Sequence, residues 1–176
     1  NSDGTGLSHV YTESEDEWIT HEAVISPDEM AFIISGHSRV EEINGKFSTP
    51  ESPWGPSGTR KKPTGLAVIN LKTHEVTLAG QVPEGGGFWH ATGSADKRFL
   101  AGDHPLRNIY LINRKTHEMI LLSGGHKKTA ADHPHPTFSP DGTRIEIQSA
   151  MLSEDGKSMN ICIIPVPKKW LKENKQ

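Results

Sequence analysis

Four histidines fall in three segments, Thr20-His21-Glu22, Trp89-His90-Ala91 and His133-Pro134-His135, each just ahead of a stretch that repeats along the chain. Imidazole is the commonest nitrogen donor to Zn, Mn, Fe and Ni, and three convergent donors leave coordination positions open for water or substrate. His90 and His133 stand 43 residues apart, the period of the repeat, so they occupy one position of it. In His133-Pro134-His135 the alternation of a strand would turn both rings to one face, since residues two apart share a side. The same tripeptide is also compatible with a rigid strand start that has no chemical role. A neutral histidine, with an unperturbed pKa of about 6.5, can instead take up a proton near neutral pH.

The elements that must position these rings show themselves as a repeat. Gly65 to Leu78 is echoed by Asn108 to Leu121, with Lys72-Thr73-His74-Glu75 matching Lys115-Thr116-His117-Glu118. A Ser-x-Asp turn leads into an apolar strand at Ser26-Pro27-Asp28, Ser94-Ala95-Asp96 and Ser139-Pro140-Asp141. The first interval exceeds the second by one long loop, supplied by residues 37–64. A period of about 40–45 residues with four short strands per unit is the signature of β-propeller blades. Turns rich in Asp, Pro and Gly separate strands rich in Val, Ile, Leu and Phe. Only Lys168 to Glu173 reads as helix.

The predicted fold is therefore all-β, with about three propeller blades at 20–81, 88–123 and 133–167, an N-terminal strand around Leu7–Thr12 and a short C-terminal helical tail. Propellers close with about 4–8 blades. Three blades imply part of a larger ring, completed by an N-terminal half or a second chain. The apolar strand Met159 to Ile164 lacks a following partner in sequence, so the last blade is expected to take its closing strand from elsewhere.

Strand order decides which side chains share a face. His21, His90, His133 and His135 fall at the start of inner strands, on the channel side of one face. The loops expected on that face carry Arg39, Arg60, Lys61 and Lys62, then Asp103-His104-Pro105-Leu106-Arg107, then His126-Lys127-Lys128. Histidines over a channel rimmed by cations suit an anionic ligand, although each loop cation is as readily a solvated one. His74 and His117 fall in turns of the opposite face and read as polar turn residues.

Bulk properties bound the partners. A net charge of −3 with dispersed basic residues excludes the basic stripe of a nucleic-acid binder. No apolar run approaches a membrane span and no signal peptide is seen. The single cysteine, Cys162, excludes an internal disulfide and favours a reducing, cytoplasmic compartment, with the periplasm also compatible. Gly 17 and Pro 12 mark a turn-dense chain.

His133-Pro134-His135-Pro136-Thr137-Phe138-Ser139-Pro140-Asp141-Gly142, Thr20-His21-Glu22 and the stretch from Trp89-His90 to Gly102-Asp103 resemble the C-terminal half of the oligogalacturonate lyase family, across roughly residues 20–167. The His-Pro-His-Pro segment is the most specific part, whereas Ser-Pro-Asp-Gly recurs in many propellers of the TolB type. The resemblance implies a seven-bladed β-propeller that cleaves short pectic oligosaccharides by β-elimination, with manganese as the usual metal and an acidic oligosaccharide as partner. It places the metal on His90, His133 and His135 and the base on His21. Two departures stand out. Ala130 occupies the position of a metal-binding Gln, so that the fourth ligand is missing, replaced by water or supplied by Asp132, and the family's catalytic arginine would lie before Asn1.

Such a site must remove the C5 proton of a uronate beside a carboxylate that is already negative. The resemblance implies that a divalent ion on that carboxylate acts as a Lewis acid. Arg107 or Lys127 would add to the electrostatic stabilisation. His21 would take the proton, or would equally serve as a fourth ligand. Two other readings remain: a non-enzymatic TolB or WD-like propeller that binds protein through its loop face, and a metal-dependent hydrolase. No Gly-x-Ser-x-Gly element is present, which argues against a propeller-capped serine hydrolase.

Overall fold

The computed structural model describes residues 3–13, 17–35, 63–81, 87–127 and 133–173. They form three antiparallel sheets and almost no helix. The first sheet contains β1 (Trp18–Ser26), β2 (Glu29–Ser35), β3 (Pro63–Asn70) and β4 (Val76–Gly80) in sequence order. The second contains β5 (His90–Gly93), β6 (Phe99–Asp103), β7 (Ile109–Asn113) and β8 (Met119–Ser123), again in order. The third contains β9 (Thr137–Phe138), β10 (Arg144–Ser149) and β11 (Asn160–Pro165), and among the described residues β11 is its outer edge. Helix α1 (Lys168–Glu173) follows.

Repeated residues build repeated turns. Ser26, Ser94 and Ser139 each donate their hydroxyl to the carboxylate two residues on, at 2.7, 2.7 and 2.6 Å. Asn70 accepts the backbone N–H groups of Lys72 and Thr73, and Asn113 those of Lys115 and Thr116. Both turns then pass through left-handed backbone at an exposed histidine, His74 (φ 61) and His117 (φ 57). Side chains that bond their own backbone two residues ahead favour such turns over continued strand. That is what the Lys-Thr-His-Glu echo encodes, so these two histidines serve the hairpins.

Burial follows the pattern of each strand. In β2 the run Ala31-Phe32-Ile33-Ile34 is buried on both sides, and β6 is buried throughout. In β10 exposed Arg144, Glu146 and Gln148 alternate with buried Ile145, Ile147 and Ser149, the mark of a sheet covered on one face. One apolar cluster, including Ile33, Leu66, Leu100 and Ile112, joins the first two sheets. A second, including Phe99, Leu111, Ile145 and Ile147, joins the second and third and takes in α1 through Trp170, whose ring stacks on Phe99 at 5.9 Å. A third covers the far side of the first sheet, where Val10 and Tyr11 pack against Phe32 and Ile34. At the rim between the first two sheets, Lys97 bonds Asp28 and Arg114 bonds Glu29 through both guanidinium NH2 groups.

Two expectations are corrected. The segment Leu7–Thr12 is not a strand: Val10 and Tyr11 contribute packing without pairing to a neighbour, and Leu7 is fully exposed. The long loop gives way to β3 at Pro63, because Pro63 still pairs with Ser35 across a bulge. The rest of that loop, with Arg39, Arg60, Lys61 and Lys62, lies outside the described residues, as do Lys128, Ala130 and Asp132.

Candidate metal centre

Strand pairing sets His90 first. It opens β5 and faces Asp103, the last residue of β6, across the hairpin. Asp103 is wholly buried, and His90 is 8% exposed. The carboxylate accepts the backbone N–H of His90 at 2.7 Å and its ring Nδ1–H at 2.9 Å. A carboxylate only accepts, so the proton belongs on Nδ1 and the lone pair on Nε2. Gly102 makes this close packing possible: a Cβ there would stand 2.7 Å from Phe88 Cδ1 and 3.0 Å from the His90 carbonyl.

His133 and His135 lie in irregular chain just before β9, and His135 adopts left-handed backbone (φ 47). Their convergence therefore comes from a turned backbone and not from the alternation of a strand, which corrects the geometric argument above. The Gln148 N–H donates to the Pro134 carbonyl at 2.9 Å, pinning this turn to β10. The ring of His135 lies 3.6 Å from that of His90, and the ring of His133 lies 4.4 Å from it, centroid to centroid. His133 Nδ1 and His135 Nε2 are 2.9 Å apart, within reach of one shared N–H.

One ligand nitrogen from each of His90, His133 and His135 lies within 4.8 Å of the others. Two nitrogens about 2.1 Å from one ion and at right angles to each other stand about 3 Å apart, so the His133–His135 spacing fits shared coordination. The donor set, three imidazoles with one oriented by a buried carboxylate, could hold a divalent transition-metal ion. Burial, and next the repulsion that a protonated His90 would exert, lower the pKa of both His133 and His135, with the Asp103 carboxylate opposing. The neutral, coordinating form is favoured.

His21 sits in β1 where the register with β2 slips between Thr20 and Ala23. Its backbone is left-handed (φ 55), and a bulge of this kind re-aims a side chain. The ring meets His90 edge-on at 4.5 Å, and its Nδ1 lies 3.0 Å from the Thr20 hydroxyl. Burial, and then the repulsion that a protonated His90 would exert, lower its pKa too. A cavity of about 290 Å³ is lined by His21, Glu22, His90, Ala91, His135, Pro136 and Thr137. A second of about 330 Å³ lies on the other side of His135, against Glu146 and Gln148.

The expected cations divide. Arg107 is near enough for its charge to help lower the His133 pKa, whereas the stem of exposed Lys127 runs beside the Gly156 turn. His126 is buried between the Ser123 and Ser149 hydroxyls, at 3.1 and 2.9 Å, and ties the second sheet to the third. Two participants escaped the sequence reading. Asp103 was visible as a loop residue and as the end of a stretch that carries the resemblance, with no role assigned, although counting the hairpin outward from the Ser94-Ala95-Asp96 turn sets it opposite His90. Trp89, read there only as the neighbour of His90, lies 4.3 Å from the His133 ring.

No family model matches the sequence, and no curated protein matches it. Solved structures do match. An oligogalacturonate lyase in complex with manganese superposes with a TM-score of 0.63 at 19% identity, covering 98% of this chain and 41% of that one. An oligogalacturonate lyase from Vibrio parahaemolyticus gives 0.60 at 20% identity, covering 97% of this chain and 42% of that one. The chain thus spans about two fifths of the length of these enzymes. Over nearly all of its own length it shares the fold of oligogalacturonate lyases.

Proposed function

We propose that the chain forms part of a β-propeller polysaccharide lyase that cleaves uronate-containing, oligogalacturonate-like chains by β-elimination. The observation that carries this is the convergence of His90, His133 and His135, with His21 beside them, in the fold of oligogalacturonate lyases. The three sheets are three blades, and the remaining blades come from further chain or a second polypeptide.

His90 Nε2 and the facing nitrogens of His133 and His135 hold a divalent ion, by preference manganese. When bound, the ion supplies Lewis-acid stabilisation of the uronate carboxylate. Asp103 keeps His90 in the coordinating tautomer. His21, outside the converging trio and neutral at pH 7, takes the C5 proton. The C5–H electron pair becomes the C4–C5 double bond as the C4–O4 bond breaks, and the departing oxygen takes a proton from water. Arg107 or Lys127 offsets the substrate's charge.

The test has two stages. Metal analysis of the purified chain, as isolated and after adding manganese, should find about one divalent ion, lost in H133A. Ultraviolet absorbance of the unsaturated product on oligogalacturonate, assayed with the completed propeller, should then rise with wild type and not with H21A. Failure to take up metal would sink the reading. Turnover retained in H21A would remove His21 as base.

A further inference from the structure

Two tryptophans in this structure are used in opposite ways. Trp170 is 3% exposed and stacks on Phe99, tilted by 20°, as a packing residue does. Trp89 keeps 37% of its surface exposed although it adjoins the histidine cluster. Its backbone is fixed, because its N–H donates to the Asp103 carbonyl at 2.8 Å. Its ring rests on His133 at 4.3 Å, tilted by 47°. The result is a rigid aromatic surface at the rim of the candidate metal centre, partly open to solvent.

We propose that Trp89 is the platform on which the sugar ring next to the metal-bound uronate packs, so that the site selects oligosaccharides over single sugars. The proposal rests on the uronate reading above and adds a specificity-determining residue to it. A pyranose presents a face of C–H groups, apolar and slightly positive, that suits the negative face of an indole. An indole held by only two side-chain torsions loses little freedom when a ligand settles on it.

Trp89 could instead only prop the His133 ring, and ligand length separates the two roles. Manganese-loaded protein carrying H21A throughout, so that the trimer is bound and not cleaved, is titrated calorimetrically with trigalacturonate as wild type, W89A or W89F at position 89, and galacturonate affinity is read from its displacement of the trimer. W89A should weaken trimer binding about tenfold while leaving galacturonate and manganese within about twofold, because the stacking contact serves only the second sugar. W89F should restore most of the trimer affinity. Indole fluorescence should change on adding trimer to wild type, with that change missing in W89F. Equal losses for trimer and monomer, or weakened manganese binding, would overturn the platform and leave Trp89 as a prop. If manganese-loaded wild type binds neither sugar, the uronate reading itself falls, and the platform with it.

Discussion

The Asp103 carboxylate holds His90 twice, by the backbone N–H at 2.7 Å and by the ring Nδ1–H at 2.9 Å. One buried group thus fixes both where the ring starts and which nitrogen faces the cluster. Loss of such an orienting partner typically weakens metal affinity by about 10–100-fold. D103A should fall in that range in calorimetric titration with manganese. D103N keeps an acceptor oxygen and should lose less.

Gly102 tests the same packing from the other side. A methyl group there would press on Phe88 and on the His90 carbonyl. Overpacking of this kind costs about 1–3 kcal/mol. G102A should lower the thermal midpoint and weaken manganese binding together, although residue 102 carries no ligand.

The left-handed backbone at His135 separates strain from ligation. A non-glycine residue at φ 47 is strained, and glycine is not. H135A and H135G should both lose metal. H135G should nevertheless be the more stable of the two by about 1 kcal/mol in denaturant unfolding. Equal stability would mean that the turn relaxes once the ring is gone.

Acid should loosen the junction of the first two sheets. The Lys97 ammonium and the Ser26 hydroxyl hold the Asp28 carboxyl down at about 2, against its ordinary 3.8. A depressed pKa contributes stability that is fully present above the unfolded value and lost as pH falls through the folded one. The contribution should therefore fade between about pH 4 and pH 2. In D28N, the thermal midpoint should vary less with pH across this window than in wild type.

Hairpins were legible in the sequence because their signals are local. Ser26, Ser94 and Ser139 bond within two residues, and Asn70 and Asn113 within three, so each turn is written in a few adjacent letters. The helical tail was legible for the same reason. The geometry of the histidines was not. His21 owes its direction to a slipped register with β2, and His135 to a backbone turn pinned from β10. Both depend on partners distant in sequence. Asp103 escaped for a related reason, since its role appears only when β5 and β6 are laid side by side. Leu7–Thr12 misled because a short apolar segment can cover a sheet without joining it.

The half-covered third sheet has a bearing on handling. Ile161 and Ile163 are 74% and 55% exposed on β11, and the outer hydrogen-bonding groups of that strand meet no neighbouring strand among the described residues. Proteins guard such margins with lysine, proline or a bulge. Here the guard is Pro165, at one end only. The margin is therefore the place where copies of this chain would adhere when concentrated, and a lysine at position 161 or 163 should keep it dispersed while leaving the histidine cluster untouched.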